Sequence, residues 1–143
     1  MKLREIMTKQ VVRIHPEESA AVAARTMTHY NIGILPVCGS DGRVCGVLTD
    51  RDIVTRCLAA GKSPESTQIR DIMTSGFVAV RPDMDTSTAA ALMGSRQVRR
   101  LPVMENGKLC GMVSLGDLAR KEDATPEARV ALSRISSNLS DRK

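Results

Sequence analysis

The chain has 143 residues, a formal net charge of +5 and an aromatic content of 1%. Its length suits one ordinary domain or two very small ones, and two aromatic rings, Tyr30 and Phe77, are too few for the stacking platforms that bind single-stranded nucleic acid. No apolar run reaches the roughly 18–20 residues of a membrane span, and the first ten residues lack the apolar core of a signal peptide. We therefore expect a cytoplasmic protein without a membrane segment.

The first half of the chain predicts the element order β-α-β-β-α. Short β-rich or apolar runs indicate strands, a Ser indicates a helix start, and an Asp-Gly pair indicates a hairpin turn. The predicted elements are a strand over Val11–Ile14 ending before Pro16, a helix capped at Ser19, a strand over Ile34–Cys38, a turn at Asp41-Gly42, a strand over Arg43–Leu48 and a helix opened by Thr49.

The second half repeats this pattern. Ile6-Met7-Thr8 recurs 66 residues later as Ile72-Met73-Thr74, and Leu35-Pro36-Val37 recurs at the same offset as Leu101-Pro102-Val103. After a one-residue deletion the offset is 65, which aligns Asp52 with Asp117. The chain is therefore a tandem duplication. The repeated elements are a strand over Phe77–Val80, a helix capped near Asp85, a strand over Leu101–Met104, a turn at Asn106-Gly107, a strand over Lys108–Val113 and a helix opened by Ser114.

These patterns divide the chain into four predicted segments: the first repeat (1–60), a linker (61–68), the second repeat (69–124) and a helical tail (125–143). A unit of about 60 residues is marginally stable alone. We therefore expect a mixed α/β (α+β) fold in which two βαββα repeats pack with pseudo-twofold symmetry into one body, with an added C-terminal helix.

The cysteines and histidines show no metal-binding pattern. Cys38, Cys45, Cys57 and Cys110 form no C-x-x-C pair, and with only two histidines they give no zinc-ligand spacing. We expect all four cysteines to be buried as small apolar residues, with a redox role for Cys38 and Cys45 as the alternative. Because no phosphate-binding loop or nucleophile-base motif is present, no enzymatic activity, metal or cofactor is expected.

Two short motifs stand at the starts of the second helices. Thr49-x-x-Asp52 and Ser114-x-x-Asp117 each fit a capping box, which needs no ligand. Alternatively, each carboxylate could accept both hydroxyl groups of a ribose, with the Thr or Ser hydroxyl as a further contact.

The two I-M-T segments, the L-P-V strands, the G-x-x-x-G hairpins and the [T/S]-x-x-D helix starts together resemble the tandem CBS-domain family, or Bateman module, over residues 1–121. The resemblance implies a disc-like module with two clefts that bind adenine nucleotides or related adenosyl ligands and report to a partner, without catalysis. It assigns the ribose role to Asp117, Ser114, Asp52 and Thr49.

The same resemblance implies phosphate and adenine contacts. Basic residues directly before the L-P-V strand, Arg99 and Arg100, suit phosphate, and aliphatic residues such as Met73 and Val78 suit adenine. The first repeat has uncharged Gly33-Ile34 at the arginine positions. Its cleft therefore either binds a ligand with little phosphate, uses Arg51 from its own helix start, or is empty. We therefore predict unequal sites, with tighter phosphate binding in the second repeat.

Three functions remain open from the sequence. The leading one is a homodimeric cytoplasmic sensor of AMP, ADP, ATP or a relative such as NAD(H) or S-adenosylmethionine. The second is a ligand-free dimeric scaffold that recruits an unidentified protein through its tail. The third is nucleic-acid binding through the basic excess, which no recognition motif accompanies.

Overall fold

The computed structural model describes residues 1–119 and shows a mixed helix and strand fold with two small two-stranded antiparallel sheets. Short 3-10 helices at Leu3–Glu5 and Ile69–Asp71 precede the two repeats of the main elements. The main elements are α1 (Ala20–Tyr30), β1 (Ile34–Cys38), β2 (Val44–Thr49), α2 (Asp50–Asp52), a π-helical segment (Ile53–Leu58), α3 (Thr86–Arg96), β3 (Arg100–Glu105), β4 (Lys108–Ser114) and α4 (Leu115–Ala119).

The predicted hairpins are confirmed. Strand β1 pairs with β2 so that Leu35 lies opposite Leu48, and the register shifts at a bulge between Val37 and Cys38. Strand β3 pairs with β4 in the same antiparallel manner. The inward side chains of each hairpin pack on the preceding helix, and the two cores contain mainly aliphatic residues, Ala and Met.

The helix starts are confirmed at the residues that the sequence indicates, but they are stabilised differently. The Ser19 hydroxyl accepts a hydrogen bond from the Val22 N–H at 3.2 Å. Asp85 occupies the same position before α3 without capping it, because its carboxylate forms an ion pair with Lys2 at 3.0 Å. The hydrogen bond from Lys2, and then its charge, lower the pKa of Asp85.

The predicted linker is docked on the first turn of α1. The N–H groups of Ala20 and Ala21 donate to the carbonyls of Thr67 and Pro64, both at 2.9 Å. These bonds satisfy two of the backbone donors that a helix start leaves without partners.

The chain forms two compact units, and their boundaries differ from those of the repeats in the sequence. We call them unit A and unit B. Unit A contains Met1–Val11, Val78–Asn106 and the described residues from Cys110 onward, and unit B contains Val12–Phe77 with Gly107–Leu109. The segment that leads each repeat thus belongs to the unit that contains the hairpin of the other repeat.

Backbone hydrogen bonds hold each leading segment in its unit. In unit A, the Leu3 N–H donates to the Met84 carbonyl at 3.0 Å. In unit B, the Ile69 N–H donates to the Glu18 carbonyl at 2.9 Å. Because these bonds join residues far apart in the chain, no local pattern could have indicated them.

Each I-M-T segment then pairs with the outer side of a return strand. In unit B, Thr74 and Val47 exchange two backbone hydrogen bonds of 2.9 and 3.0 Å. In unit A, Thr8 and Met112 exchange two bonds of 2.9 Å. Gly46, which precedes the pairing residue Val47 in β2, permits this close approach. A Cβ on Gly46 would lie 2.7 Å from the Thr74 carbonyl oxygen and 3.0 Å from the Met73 sulfur.

Two sequence expectations are wrong in detail. The runs Val11–Ile14 and Phe77–Val80 are not strands, because each contributes one bridging residue, Ile14 to Val37 and Val80 to Val103. The prolines that follow these runs have no backbone N–H to donate to a β-ladder, which limits how far each run can pair.

The expectation that all four cysteines are buried holds for two of them. Cys38 and Cys57 are buried, Cys110 is half-buried, and Cys45 is exposed. Cys45 stands beside the bulge at the start of β2, where the strand has not yet entered the core. Burial raises the pKa of the Cys38 thiol, although the nearby charge of Arg13 opposes this effect.

The predicted tail helix, 125–143, lies outside the described residues. Within residues 1–119, no helix has the length and apolar character needed to cross a bilayer.

The close approach at Gly46 predicts a specific cost for a side chain there. Gly46→Ala places a methyl group against a paired backbone carbonyl, so we expect the free energy of unfolding to fall by about 1–3 kcal/mol. Urea unfolding measures this change. The matched control is Gly76→Ala, where a Cβ meets nothing within 4 Å, and its effect should stay within about 0.5 kcal/mol. Equal effects at the two positions would contradict the account.

Candidate functional site

The first predicted motif forms a complete capping box. The Thr49 N–H donates to Asp52 Oδ2 at 3.0 Å, and the Asp52 N–H donates to Thr49 Oγ1 at 3.1 Å. The box joins the end of β2 to the start of α2. Asp52 is 7% exposed, which makes it a buried carboxylate that needs partners.

Two further side chains supply those partners in unit B. The Thr74 hydroxyl donates to Asp52 at 3.4 Å from Oδ1 and 3.3 Å from Oδ2. Arg56, one helical turn after Asp52, places its Nε 3.7 Å from Oδ1. The same guanidinium donates through Nη1 to the carbonyl of Met73 at 3.1 Å. Both Asp52 oxygens are therefore engaged by the protein itself.

The second motif has the same box with fewer additional partners. The Ser114 N–H donates to Asp117 Oδ2 at 2.9 Å, and the Asp117 N–H donates to Ser114 Oγ at 3.0 Å. Within residues 1–119, no side chain donates to Asp117, whose Oδ1 is left open, and Asp117 is only half-buried. Lys121, at the repeat position of Arg56, lies outside the described residues.

The residues beside the two boxes differ in charge. In unit A the Leu115 N–H donates to the Arg99 carbonyl at 2.7 Å, which places Arg99 next to the start of α4. In unit B the equivalent bond runs from the Asp50 N–H to the Gly33 carbonyl at 3.0 Å. Unit A thus has an arginine beside an apolar leucine, where unit B has a glycine beside a carboxylate.

The carboxylate in unit B also occupies the space at the glycine. A Cβ on Gly33 would lie 3.0 Å from Asp50 Oδ2, so a long side chain has no room there without moving Asp50. The predicted first-repeat cation, Arg51, is exposed, and its N–H donates to Asp50 Oδ1 at 2.8 Å. Phosphate near this helix start would meet the negative charge of Asp50.

Arg99 and Arg100 are both exposed, and neither forms an ion pair with any other residue in the described part of the chain. Their guanidinium groups are therefore accessible to an anionic ligand. The tighter phosphate binding predicted for the second repeat stays a prediction.

The two predicted adenine contacts lie in different units. Met73 lies in unit B with Thr49, Asp52 and Arg51, and it packs on the core of that unit. Val78 lies in unit A with Ser114, Asp117, Arg99 and Arg100 and packs on the other core. At the repeat position of Met73, unit A has Met7, whose sulfur would lie 3.0 Å from a Cβ on Gly111.

Sequence reasoning missed three residues that shape the first site: Asp50, Arg56 and Thr74. The aligned repeats contain a signal for Asp50, since T-D-R-D faces S-L-G-D and the acidic residue has no counterpart. The i,i+4 spacing of Asp52 and Arg56 is also a signal, because residues four apart are neighbours on a helix. The contact of Thr74 with Asp52 carries no such signal, because it depends on the exchange of the leading segments.

Other features of the described residues suggest no second chemistry. A groove of about 560 Å³ in unit B runs along the end of α1, but it includes none of the predicted ribose residues; it is lined by Ala24, Met27, Thr28, Asn31, Ile32, Gly33, Asp50, Ile53 and Val54. Residues 1–119 contain no group of three or more His, Cys, Asp or Glu side chains placed to hold a metal ion.

Comparison with known proteins identifies the family. The model of the CBS domain matches residues 3–59 and again residues 69–123, which together make up most of the chain. The chain belongs to the CBS-domain family. Its two capping boxes and exchanged segments are thus features of a tandem pair of CBS repeats.

Two similar proteins are matched over nearly their whole length. The CBS domain-containing protein YhcV of Bacillus subtilis is 37% identical over 134 residues, covering 94% of each chain. A crystal structure of Hypoxic Response Protein I with two coordinated zinc ions superposes with a TM-score of 0.77 at 36% identity, covering 85% of this chain and 98% of that one.

A second similar structure contains adenosyl ligands. The CBS domain pair of protein MJ0100, in complex with 5′-methylthioadenosine and S-adenosyl-L-methionine, superposes with a TM-score of 0.73 at 26% identity. The match covers 84% of this chain and 94% of that one.

The different partners of the two carboxylates predict different costs of mutation in the absence of any ligand. Asp52→Asn loses acceptor capacity for Thr49 and Thr74 and the charge that faces Arg56, so unfolding free energy should fall by about 1–3 kcal/mol. Among the bonds within residues 1–119, Asp117→Asn affects only the one from Ser114 and should cost about 0.5–1 kcal/mol. Urea unfolding at neutral pH compares them, and a larger cost at Asp117 would contradict the assignment of partners.

Proposed function

We propose that this chain is a regulatory module that binds an adenosine-containing ligand at the Ser114–Asp117 helix start of unit A. One observation carries the proposal: Asp117 keeps an open carboxylate oxygen beside two exposed, unpaired arginines, within residues 1–119. No other group in the described part of the chain combines a diol acceptor with phosphate donors in this way.

The carboxylate suits a ribose diol. An ionised carboxylate accepts hydrogen bonds through two oxygens, and Asp117 uses one of them for the Ser114 N–H. The remaining oxygen can accept from a ribose hydroxyl, and the Ser114 hydroxyl is a second polar contact at the same helix start. Hydrogen bonds to a charged acceptor are the stronger kind, which favours a ligand with both hydroxyl groups.

The arginines suit the phosphates of the same ligand. A guanidinium fork binds phosphate through two parallel hydrogen bonds, and Arg99 is tied to the start of α4 by its carbonyl. Asp117 itself repels phosphate, so a nucleotide that places its ribose on Asp117 needs cations to one side. Arg99 and Arg100 supply them, whereas the first repeat has Gly33 and Asp50 at the equivalent place.

The adenine ring is bound by aliphatic side chains in this proposal. Val78 and Met7 both pack at the edge of the unit A core and are half-buried, so part of each side chain is available to a flat ligand. Contact of this kind supplies apolar area without aromatic stacking. Met73 has the equivalent position in unit B.

The ligand class rests on family resemblance as well as on geometry. The CBS pair of MJ0100 binds adenosyl ligands, which supports an adenosyl ligand for a chain of the same fold. We propose AMP, ADP or ATP because of the two arginines. We further propose that the protein is a cytoplasmic homodimer without catalytic activity or metal, in which the ligand shifts a conformational or oligomeric equilibrium that a partner protein detects.

The arginines provide the test of the phosphate contact. Arg99→Gln combined with Arg100→Gln should weaken ADP binding at least about 10-fold, since the loss of even one charge-assisted hydrogen bond costs about 1.5–3 kcal/mol. Adenosine, which has no phosphate, should bind both proteins equally. Isothermal titration calorimetry measures the two affinities.

Arg96→Gln is the matched control for this experiment. It removes the same charge from an exposed arginine in the last turn of α3 rather than from the residues directly before the L-P-V strand, and should leave ADP affinity within about twofold. An equal loss in this control would indicate a general effect of charge. If neither adenosine, AMP, ADP nor ATP binds the natural chain, the proposed function is wrong.

A further inference from the structure

At the first-repeat site, the Thr74 hydroxyl is hydrogen-bonded to the Asp52 carboxylate, the group that a ribose would need. It donates to Asp52 at 3.3 Å from Oδ2 and 3.4 Å from Oδ1, so it bridges the two oxygens. We infer that Thr74 closes the first-repeat site from within, as an internal competitor of the ribose diol. This inference rests on the proposed function for the role of the diol and assigns a specificity role to Thr74.

Little of the carboxylate is left for a ligand. Oδ2 already accepts the Thr49 N–H at 3.0 Å, and Arg56 Nε stands 3.7 Å from Oδ1. The Asp52 side chain is 10% exposed. A diol that uses this carboxylate must therefore displace the Thr74 hydroxyl, which is the only neutral side-chain donor on it among the described residues.

The position of Thr74 is fixed by its backbone rather than by the hydroxyl. Its N–H and carbonyl both pair with Val47, at 2.9 and 3.0 Å. Arg56 adds hydrogen bonds to the carbonyls of Ile72 at 3.4 Å and Met73 at 3.1 Å. Because the segment is held by these bonds, the hydroxyl remains beside Asp52 and can leave only by rotation of its own side chain.

The second repeat lacks this closure although its backbone is the same. Thr8 pairs with Met112 as Thr74 pairs with Val47. The Thr8 side chain is nevertheless exposed, and it makes no hydrogen bond to Asp117 in the described structure. The duplicated threonines thus have different roles, and only the one in unit B competes with a ligand.

The test isolates the first-repeat site in an Asp117→Asn background and titrates adenosine, which needs no phosphate contact. Thr74→Val removes the competing hydroxyl and keeps the shape of the side chain. We expect adenosine affinity to rise about 3- to 10-fold, the factor that the loss of one long hydrogen bond represents. Thr74→Ser retains a hydroxyl and should leave the affinity unchanged. Unchanged or weaker binding by the valine variant would overturn the inference.

Two further arms separate this inference from the proposed function. Thr8→Val in an Asp52→Asn background should leave adenosine affinity unchanged, and a gain there would show that the effect is not specific to Thr74. In the ligand-free protein, the ¹³C NMR chemical shift of the Asp52 carboxyl group should differ from that of the natural chain in Thr74→Val. It should be unchanged in Thr74→Ser.

A fixed Asp52 signal in Thr74→Val would show that the hydroxyl is not on the carboxylate, and the inference then fails even if nucleotides bind elsewhere. If the Asp52 chemical shift changes in Thr74→Val but no variant binds an adenosine ligand, the proposed function has failed. The Thr74–Asp52 bond would then be only structural, and its role against a ligand would be rejected with it.

Discussion

The backbone pairing between each I-M-T segment and a return strand is the interaction on which both sites depend. It requires glycine beside the pairing residue, because a Cβ at Gly46 or Gly111 would lie 2.7 Å from the carbonyl oxygen of Thr74 or Thr8. The same approach brings Met73 and Met7 against these glycines. Without this pairing, Thr74 would not reach Asp52. Met73 and Met7 would also not pack beside the glycines of the two return strands.

The duplication uses one backbone for two different electrostatic environments. Both capping boxes have nearly the same geometry. In both units the N–H of the first helical residue also donates to the carbonyl of the residue directly before β1 or β3. The side chains on this common backbone differ: Asp50 faces Gly33 in one unit, and Leu115 adjoins Arg99 in the other. Charge rather than fold therefore distinguishes the two sites.

Local features of the fold could be predicted from the sequence because local interactions determine them. A short continuous apolar run predicted β1 at its observed bounds, and Ser19 and Thr49 cap helices with their own side chains. The capping-box motif also gave the geometry of both candidate ribose sites.

Non-local features could not be predicted from the same patterns. The exchange of leading segments joins Leu3 to Met84 and Ile69 to Glu18, and no spacing in the sequence indicates such pairs. The closure of Asp52 by Thr74 follows from that exchange. The exposure of Cys45 depends on a bulge, which an apolar run does not indicate.

The central claim is that Asp117 accepts the ribose of an adenosine ligand while Asp52 is committed to the protein. Calorimetric titration of AMP into Asp117→Asn and Asp52→Asn tests it most directly, with circular dichroism to verify that both variants are folded. The account predicts that Asp117→Asn loses the tighter binding event and that Asp52→Asn retains it with its natural affinity. Loss of that event in Asp52→Asn, with full retention in Asp117→Asn, would contradict the account.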